Sequence, residues 1–316
     1  MKNFILKKKI LGICITEGSR SLADISRELN SSIPTITKLV GELIMDGYLE
    51  DMGKIDTSGG RRPSIYGLNP SAGFFAGIDI NMDEVKIAVT DFKGDLVDFT
   101  THYGFTLSNT EESFKELCRI TKEYVSQIGI DTEAILAYGL SLSGRVNYQT
   151  GESFTYHLKE GGNIREFVEN ELKRPVFVEN NSRAMTYGEF LYGQHGYKKD
   201  ILFMNVSWGL GMGMVIDGKL TYGKSGFSGE IGHFPILDNN QICQCGKTGC
   251  LETGASGLAL TGVGLIFPIV ALITAFCSLF STGGAAMVTD ADSIWASFCG
   301  PDTAVYDKTG FAVSPN

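Results

Sequence analysis

Along residues 1–70 the apolar positions first recur at helical intervals and then alternate. Ile5, Ile10, Leu11 and Ile15 predict a first helix. Ser21-Leu22-Ala23-Asp24 has the form of a capping box, which opens a second helix with Leu22, Ile25 and Leu29 turned inward. Asn30-Ser31-Ser32 make a turn. Pro34 then stands in the first turn of a third helix, with the stripe Ile36, Leu39, Val40 and Leu43. A strand starts at Gly47–Glu50, residues 57–63 form a tip, and Ser64–Leu68 returns.

After the short linker at 71–73 the pattern becomes that of an α/β body. Phe74–Ile80, Val85–Asp91 and Leu96–Tyr103 predict a three-strand meander, and Ser113–Ile128 a helix packed on it. Ile135–Ser141 and Val176–Val178 read as buried strands, ending in Ser143-Gly144-Arg145-Val146 and Glu179-Asn180-Asn181. Ligand groups gather beyond such strand ends. Residues 182–193 have helical periodicity, Ile201–Val206 is a strand, and Asp217-Gly218 marks a hairpin. The glycines Gly209, Gly211 and Gly213 read as the tight turn between Ile201–Val206 and Val215–Ile216. The boundaries implied are 1–70, 71–190, 191–257 and a remainder, 258–316.

With 43% hydrophobic and 20% charged residues, the chain is globular and can bury a core. Its net charge of −9 excludes a protein that coats nucleic acid over its whole surface. The first 70 residues are slightly basic, ten Lys and Arg against eight Asp and Glu, so the acidic excess lies downstream. A small DNA-reading head on a ligand-binding body fits that asymmetry. Ser32, Thr35, Thr37 and Lys38 fall on the outer face of the third helix, where short hydroxyls and a cation suit phosphates and base edges. Arg61 and Arg62 stand at the strand tip, placed to grip DNA backbone or enter a minor groove. A three-helix packing module with solvated arginines is the plainer alternative. Lys2, Lys7, Lys8 and Lys9 break the opening stretch, so it does not read as a secretory signal, and a cytoplasmic location is expected.

Residues 227–254, FSGEIGHFPILDNNQICQCGKTGCLETG, carry the densest chemistry. Cys243, Cys245, Cys250 and His233 make a closed N/S set of the kind that holds structural Zn2+. Three free thiols would be the plain reading. A disulfide is disfavoured by the odd count of seven cysteines. Glu230 and Glu252 flank the set and offer acceptors for ligand hydroxyls.

Gly-Glu-Ile-Gly-His at 229–233 followed by Cys-Gln-Cys-Gly-Lys-Thr-Gly-Cys-Leu-Glu at 243–252 resembles the signature of the ROK family (repressors, open reading frames and kinases of sugars), over roughly residues 1–257. The resemblance implies an N-terminal winged helix-turn-helix with a Gly-Arg-Arg-Pro wing, here 60–63. Behind it should stand a two-lobed, actin-like sugar-kinase fold of the ribonuclease H-like class, its second lobe incomplete in this chain. It also implies that His233 and the three cysteines bind zinc. Asn180, Glu230, His233 and Glu252 should face a sugar, with Ser143 and Gly144 closing one side. Three departures bear on activity. The family's ATP-using members carry Asp-x-Gly where this chain has Asp79-Ile80-Asn81, and Gly-Thr-Gly where it has Gly209-Leu210-Gly211. Their strand-end Asn-Asp pair is Asn180-Asn181, and an amide cannot serve as a general base. The expectation is a sugar-responsive, dimeric, non-catalytic repressor of carbohydrate genes whose partners are operator DNA and a sugar. An ATP-dependent sugar kinase is the rival.

No charged residue stands between Glu252 and Asp290, and residues 260–280 are almost continuously apolar, long enough to cross a bilayer. A short stretch from Ile266 resembles part of a MATE-type exporter helix. The tail therefore reads as foreign sequence, as a buried core helix or as a membrane segment.

Overall fold

The structure, a computed structural model, describes residues 2–54, 63–158, 161–193, 199–257 and 259, together with the backbone at 286–289, 305–306 and 312–313. Helices α1 (Lys2–Glu17), α2 (Leu22–Glu28) and α3 (Ile33–Met45) pack on a small sheet of β1 (Arg20–Ser21), β2 (Leu49–Lys54) and β3 (Ser64–Leu68), in the order β1-β3-β2. The Ser21 side chain accepts from the Asp24 N–H at 3.2 Å and its hydroxyl donates to Asp24 at 2.6 Å, so the predicted capping box is formed. Ser32 caps α3 in the same way. The α3 stripe is buried as expected, but α1 turns Ile10, Ile13 and Cys14 inward and leaves Ile5 and Ile15 exposed. Helix geometry explains the correction: i, i+3 and i+4 from Ile10 share one face, whereas Ile5 and Ile15 flank it. Arg61 and Arg62 lie outside the described residues.

The body is built on two sheets. β4 (Phe74–Ile80), β5 (Glu84–Asp91) and β6 (Leu96–Tyr103) form the antiparallel meander. β7 (Ile135–Leu142) and, after the small hairpin β8 (Val146–Asn147) and β9 (Glu152–Ser153), β10 (Val176–Asn180) add in parallel on the other side of β4. The resulting order is β10-β7-β4-β5-β6. Strand periodicity puts Ala76, Ile78, Ile80, Val85, Ile87, Val89, Val176 and Val178 on one face. That face packs on α4 (Glu111–Gln127) and α5 (Ile164–Leu172). Helix α5 has no counterpart in the sequence reading.

Helix α6 (Asn181–Tyr192) leads to the second sheet, β11 (Ile201–Val206), β12 (Leu210–Ile216) and β13 (Lys219–Leu220). Asp217 and Gly218 both take positive φ, 51° and 73°, the form a two-residue hairpin turn requires. Gly211 and Gly213 are not in the turn. They lie within β12, where a Cβ on Gly211 would run into the Ser182 hydroxyl and one on Gly213 into Thr186, both on α6. The glycines therefore let helix and strand approach, and the turn is Ser207–Gly209. The apolar tail of residues 260–280 lies outside the described residues, but β14 (Ala286–Thr289) pairs in parallel with β11 and extends this sheet. Among the described residues no helix is long and apolar enough to cross a membrane.

The Gly213→Ala variant is expected to lose about 1–3 kcal/mol of stability by overpacking against α6. Gly77→Ala, which has open space around the new methyl, should change stability by no more than about 0.5 kcal/mol. Thermal unfolding of the two variants side by side tests the packing role.

Candidate functional site

The cysteine loop is a lattice of short backbone bonds. The Cys243 N–H donates to Lys247 O at 2.8 Å, Gly246 N–H to Cys243 O at 2.8 Å, and Leu237 N–H to Gly249 O at 2.9 Å. Gly246 and Gly249 take φ of 85° and 73°, which turns the chain tightly enough to bring Cys250 back. As a result His233 Nδ1 stands 3.4 Å from Cys243 Sγ, and Cys245 Sγ stands 3.6 Å from Cys250 Sγ. All four ligand atoms lie within 4.8 Å of one another. Tetrahedral zinc with bonds of 2.0–2.3 Å would space its ligands by about 3.4–3.8 Å, so these residues fit the metal. A backbone hydrogen bond from Lys247 draws the Cys245 thiol below its usual range, while burial pushes Cys243 up to about 12 and Cys250 upward. A cation here would displace the protons that burial otherwise keeps on those thiols.

His233 ends a single 3-10 turn, Ile231–His233, that begins beside Glu230. With Nδ1 on the thiol side, its Nε2 faces Glu230 Oε2 at 3.8 Å. Burial raises the proton affinity of Glu230, opposed by the positive fields of His233, Arg183 and Arg145 in that order. Glu252 is less open than its sequence position suggests. Its Oε2 accepts the Leu210 N–H at 2.9 Å and its Oε1 lies 3.7 Å from Cys243 Sγ. The carboxylate thus ties the cysteine loop to the turn Ser207–Gly209, which carries the half-exposed Trp208. The turn is closed from its other side by the Gly257 N–H, which donates to Ser207 O at 2.6 Å.

Asn180 follows Val176 and Val178 on the buried face of β10 and is only 8% exposed. Its amide donates to Gly144 O at 2.8 Å and accepts the Arg183 N–H at 3.1 Å, capping α6. Ser143 lies 3.4 Å from the Tyr156 hydroxyl, and Gly144 takes φ 81° against Thr155. Asn181 opens α6 and its side-chain amide oxygen accepts the Ser182 N–H at 2.8 Å, so an amide rather than a carboxylate occupies this position. The Asp79 carboxylate accepts from Ser141 at 2.6 Å and from the Asn81 amide at 3.2 Å. Asn81 therefore fills the turn where a glycine would leave backbone free.

Sequence reasoning missed Arg183. It is 1% exposed, yet each guanidinium nitrogen finds an acceptor: Nε on Glu179 at 2.7 Å, Nη1 on Gly226 O at 2.7 Å, and Nη2 on Val146 O at 2.9 Å. Tyr222 stacks on Tyr148 at 3.8 Å and lies 5.5 Å from the guanidinium. Burial and then the Glu179 carboxylate push the Tyr222 hydroxyl up to about 12. The available signal was an arginine four residues after a glutamate across a strand–helix junction, a spacing that is usually a surface pair. Of the residues proposed from sequence to meet DNA, Ser32, Thr37 and Lys38 are exposed on α3 and Thr35 is half-buried. Ser32 and Thr35 are 2.8 Å apart within the helix cap, and Thr37 donates to Ile33 O at 2.8 Å.

The ROK family model matches residues 75–265, eight residues past the end expected from sequence. The "Xylose repressor" of Caldicellulosiruptor bescii is 30% identical over 77% of this chain and 61% of its own length. The "Glucokinase" of Halalkalibacterium halodurans is 30% identical over 60% of this chain and 58% of its own length. This chain therefore spans about three fifths of the length of these curated relatives. Among solved structures, a ROK family transcriptional regulator described as a homolog of E. coli MLC protein superposes with a TM-score of 0.66 and 24% identity, covering 87% of this chain and 68% of the other. At that identity the likeness speaks to fold.

Elemental analysis of the purified chain should find one zinc per molecule. Cys243→Ser should bind it at least about 10–100-fold more weakly, and chelation should lower Tm by about 2–4 °C per kcal/mol of metal-linked stability. Arg183→Met leaves Glu179 unpaired and should cost about 3 kcal/mol, the low end for breaking a buried pair, because the Glu179 side chain keeps 21% exposure. Denaturant unfolding of both variants reads these losses.

Proposed function

The chain belongs to the ROK family, and on that premise we propose that it is a sugar-responsive transcriptional repressor without kinase activity. The observation that carries the reading is the end of β10. Asn180 and the nearby Glu230, His233 and Glu252 supply hydrogen-bonding groups suited to hydroxyls, while the position that needs a proton acceptor holds the Asn181 amide. A positioned base contributes about 10²–10⁴-fold to such a transfer. Two further features weigh the same way. The Asn81 amide clamps Asp79, and the Glu252 carboxylate occupies the Leu210 N–H where a phosphate would otherwise be held. Names of relatives such as "Xylose repressor" and "N-acetylglucosamine repressor" support a sugar as effector and a regulatory role.

In this reading residues 1–70 are a winged helix-turn-helix, supported by three helices against a three-stranded sheet with the outer face of α3 open. Thr37 and Lys38 meet the major groove, with Ser32 and Thr35 at its edge, and Arg61 and Arg62 grip the flanking backbone. Residues 71–190 and 191–257 are the two lobes around the sugar, and zinc braces the second. Zinc would be held by His233, Cys243, Cys245 and Cys250 and would supply rigidity, fixing His233 so that its Nε2 faces the ligand. The protein acts in the cytoplasm, as a homo-oligomer whose paired heads read two half-sites.

The module and the body are coupled by packing. Phe92, in the turn after β5, lies 5.7 Å from Tyr48, and its N–H donates to Pro70 O at 3.3 Å. Ligand-induced shifts in the lobe can thus reposition the DNA head.

The reading is tested by fluorescence anisotropy on the chain's own promoter DNA, with and without sugars. The double variant Arg61→Ala, Arg62→Ala should bind more weakly, and its log–log salt slope should be shallower by about 0.9 for each phosphate that the variant no longer neutralises. Unchanged DNA retention by that variant would rule out the proposed grip. Transfer of phosphate from ATP to a monosaccharide by the purified wild type would overturn the non-catalytic assignment.

A further inference from the structure

Arg145 directly follows Gly144, whose carbonyl holds Asn180, and its side-chain donors are unspent. Its guanidinium carbon lies 5.6 Å from the Phe154 ring and 5.5 Å from the Phe227 ring, within cation–π range of both. The two rings meet edge to face at 5.2 Å. Phe154 comes from the loop after β9 and Phe227 from the glycine-rich loop before Glu230, so the arginine bridges these two loops. Its backbone is fixed on both flanks: Gly144 O takes the Asn180 amide at 2.8 Å, and Arg145 O takes the Phe154 N–H at 2.9 Å.

Among the described residues the Arg145 side chain makes no hydrogen bond to protein and no ion pair, although it is exposed. This contrasts with Arg183, each of whose guanidinium nitrogens donates to an acceptor, on Glu179, Gly226 and Val146. Arg145 is also near enough to Glu230 for its charge to act there. A guanidinium held by two aromatic rings, with its N–H donors unclaimed, is built to receive planar or tetrahedral oxyanions in a forked contact.

We propose that the effector is a monosaccharide derivative bearing an anionic group, carboxylate or phosphate, which Arg145 binds while the Glu230 and His233 side chains take the sugar hydroxyls. The inference rests on the sugar-cleft reading and adds the charge class of the ligand. A neutral sugar offers Arg145 only a hydroxyl, whereas a charged acceptor forms the stronger hydrogen bond, a difference of about tenfold in affinity.

The test is calorimetric titration of the zinc-loaded full chain with matched sets: glucose, glucuronate and glucose 6-phosphate; galactose and galacturonate; N-acetylglucosamine and its 6-phosphate. In at least one set a charged member should bind about tenfold or more tightly than its neutral parent. The uronate and phosphate arms identify which anion is preferred. Arg145→Met should erase the preference, weakening the charged members about tenfold more than the neutral ones, and Arg145→Lys should restore part of it. Should Arg145→Met fail to fold, the wild-type salt response serves in its place: affinity for the charged member should fall with ionic strength while that for the neutral one holds. Neutral sugars binding as well as charged ones, a preference that survives in Arg145→Met, or an equal salt response would overturn the inference and leave the sugar cleft standing. If no sugar of either kind binds, the cleft reading falls and the inference with it.

Discussion

The body of this protein depends on one buried charge. Arg183, in the first turn of α6, reaches Glu179 at the end of β10, Val146 in the small hairpin and Gly226 in the loop before Glu230. These segments come from both sides of the cleft. A guanidinium removed from water is tolerable only where each donor meets an acceptor in good geometry. That requirement fixes the strand end, the hairpin and the loop relative to one another. The polar groups at the site owe their placement to it: Asn180 caps the helix that carries Arg183, and Gly144 accepts from Asn180.

A second tether runs through Glu252. One carboxylate oxygen is bonded to the turn between β11 and β12, and the other lies against a thiol of the cysteine loop. The metal set and the sheet are therefore not separate modules. Whatever orders the cysteine loop also orders the turn, and the group a sugar would meet is the same group that joins them.

Much of the fold could be read from the chain because local signals and burial agree there. The capping box at Ser21, the α3 stripe, the β4–β5 alternation and the Asp217-Gly218 turn each have a local cause that tertiary packing does not override. The cysteine and histidine spacing pointed to a cluster that could hold a metal for the same reason: its members are close in sequence. What escaped was decided by distant partners. Gly211 and Gly213 looked like a turn because their true reason, the approach of Ser182 and Thr186, lies on another element. Arg183 went unremarked because its acceptors at Val146 and Gly226 are about 40 positions away. Glu252 was legible as a polar group near the metal, but its bond to Leu210 was not, since nothing local distinguishes that backbone N–H.

The turn latched by Glu252 has an optical consequence. Trp208 sits in it at 49% exposure, and the chain has only one other tryptophan, Trp295. An indole held half in solvent beside a carboxylate-anchored backbone emits according to how that backbone is held. The molecule therefore carries a native fluorophore at the junction of metal loop and sheet, and replacing Trp295 by phenylalanine would isolate its signal without a label.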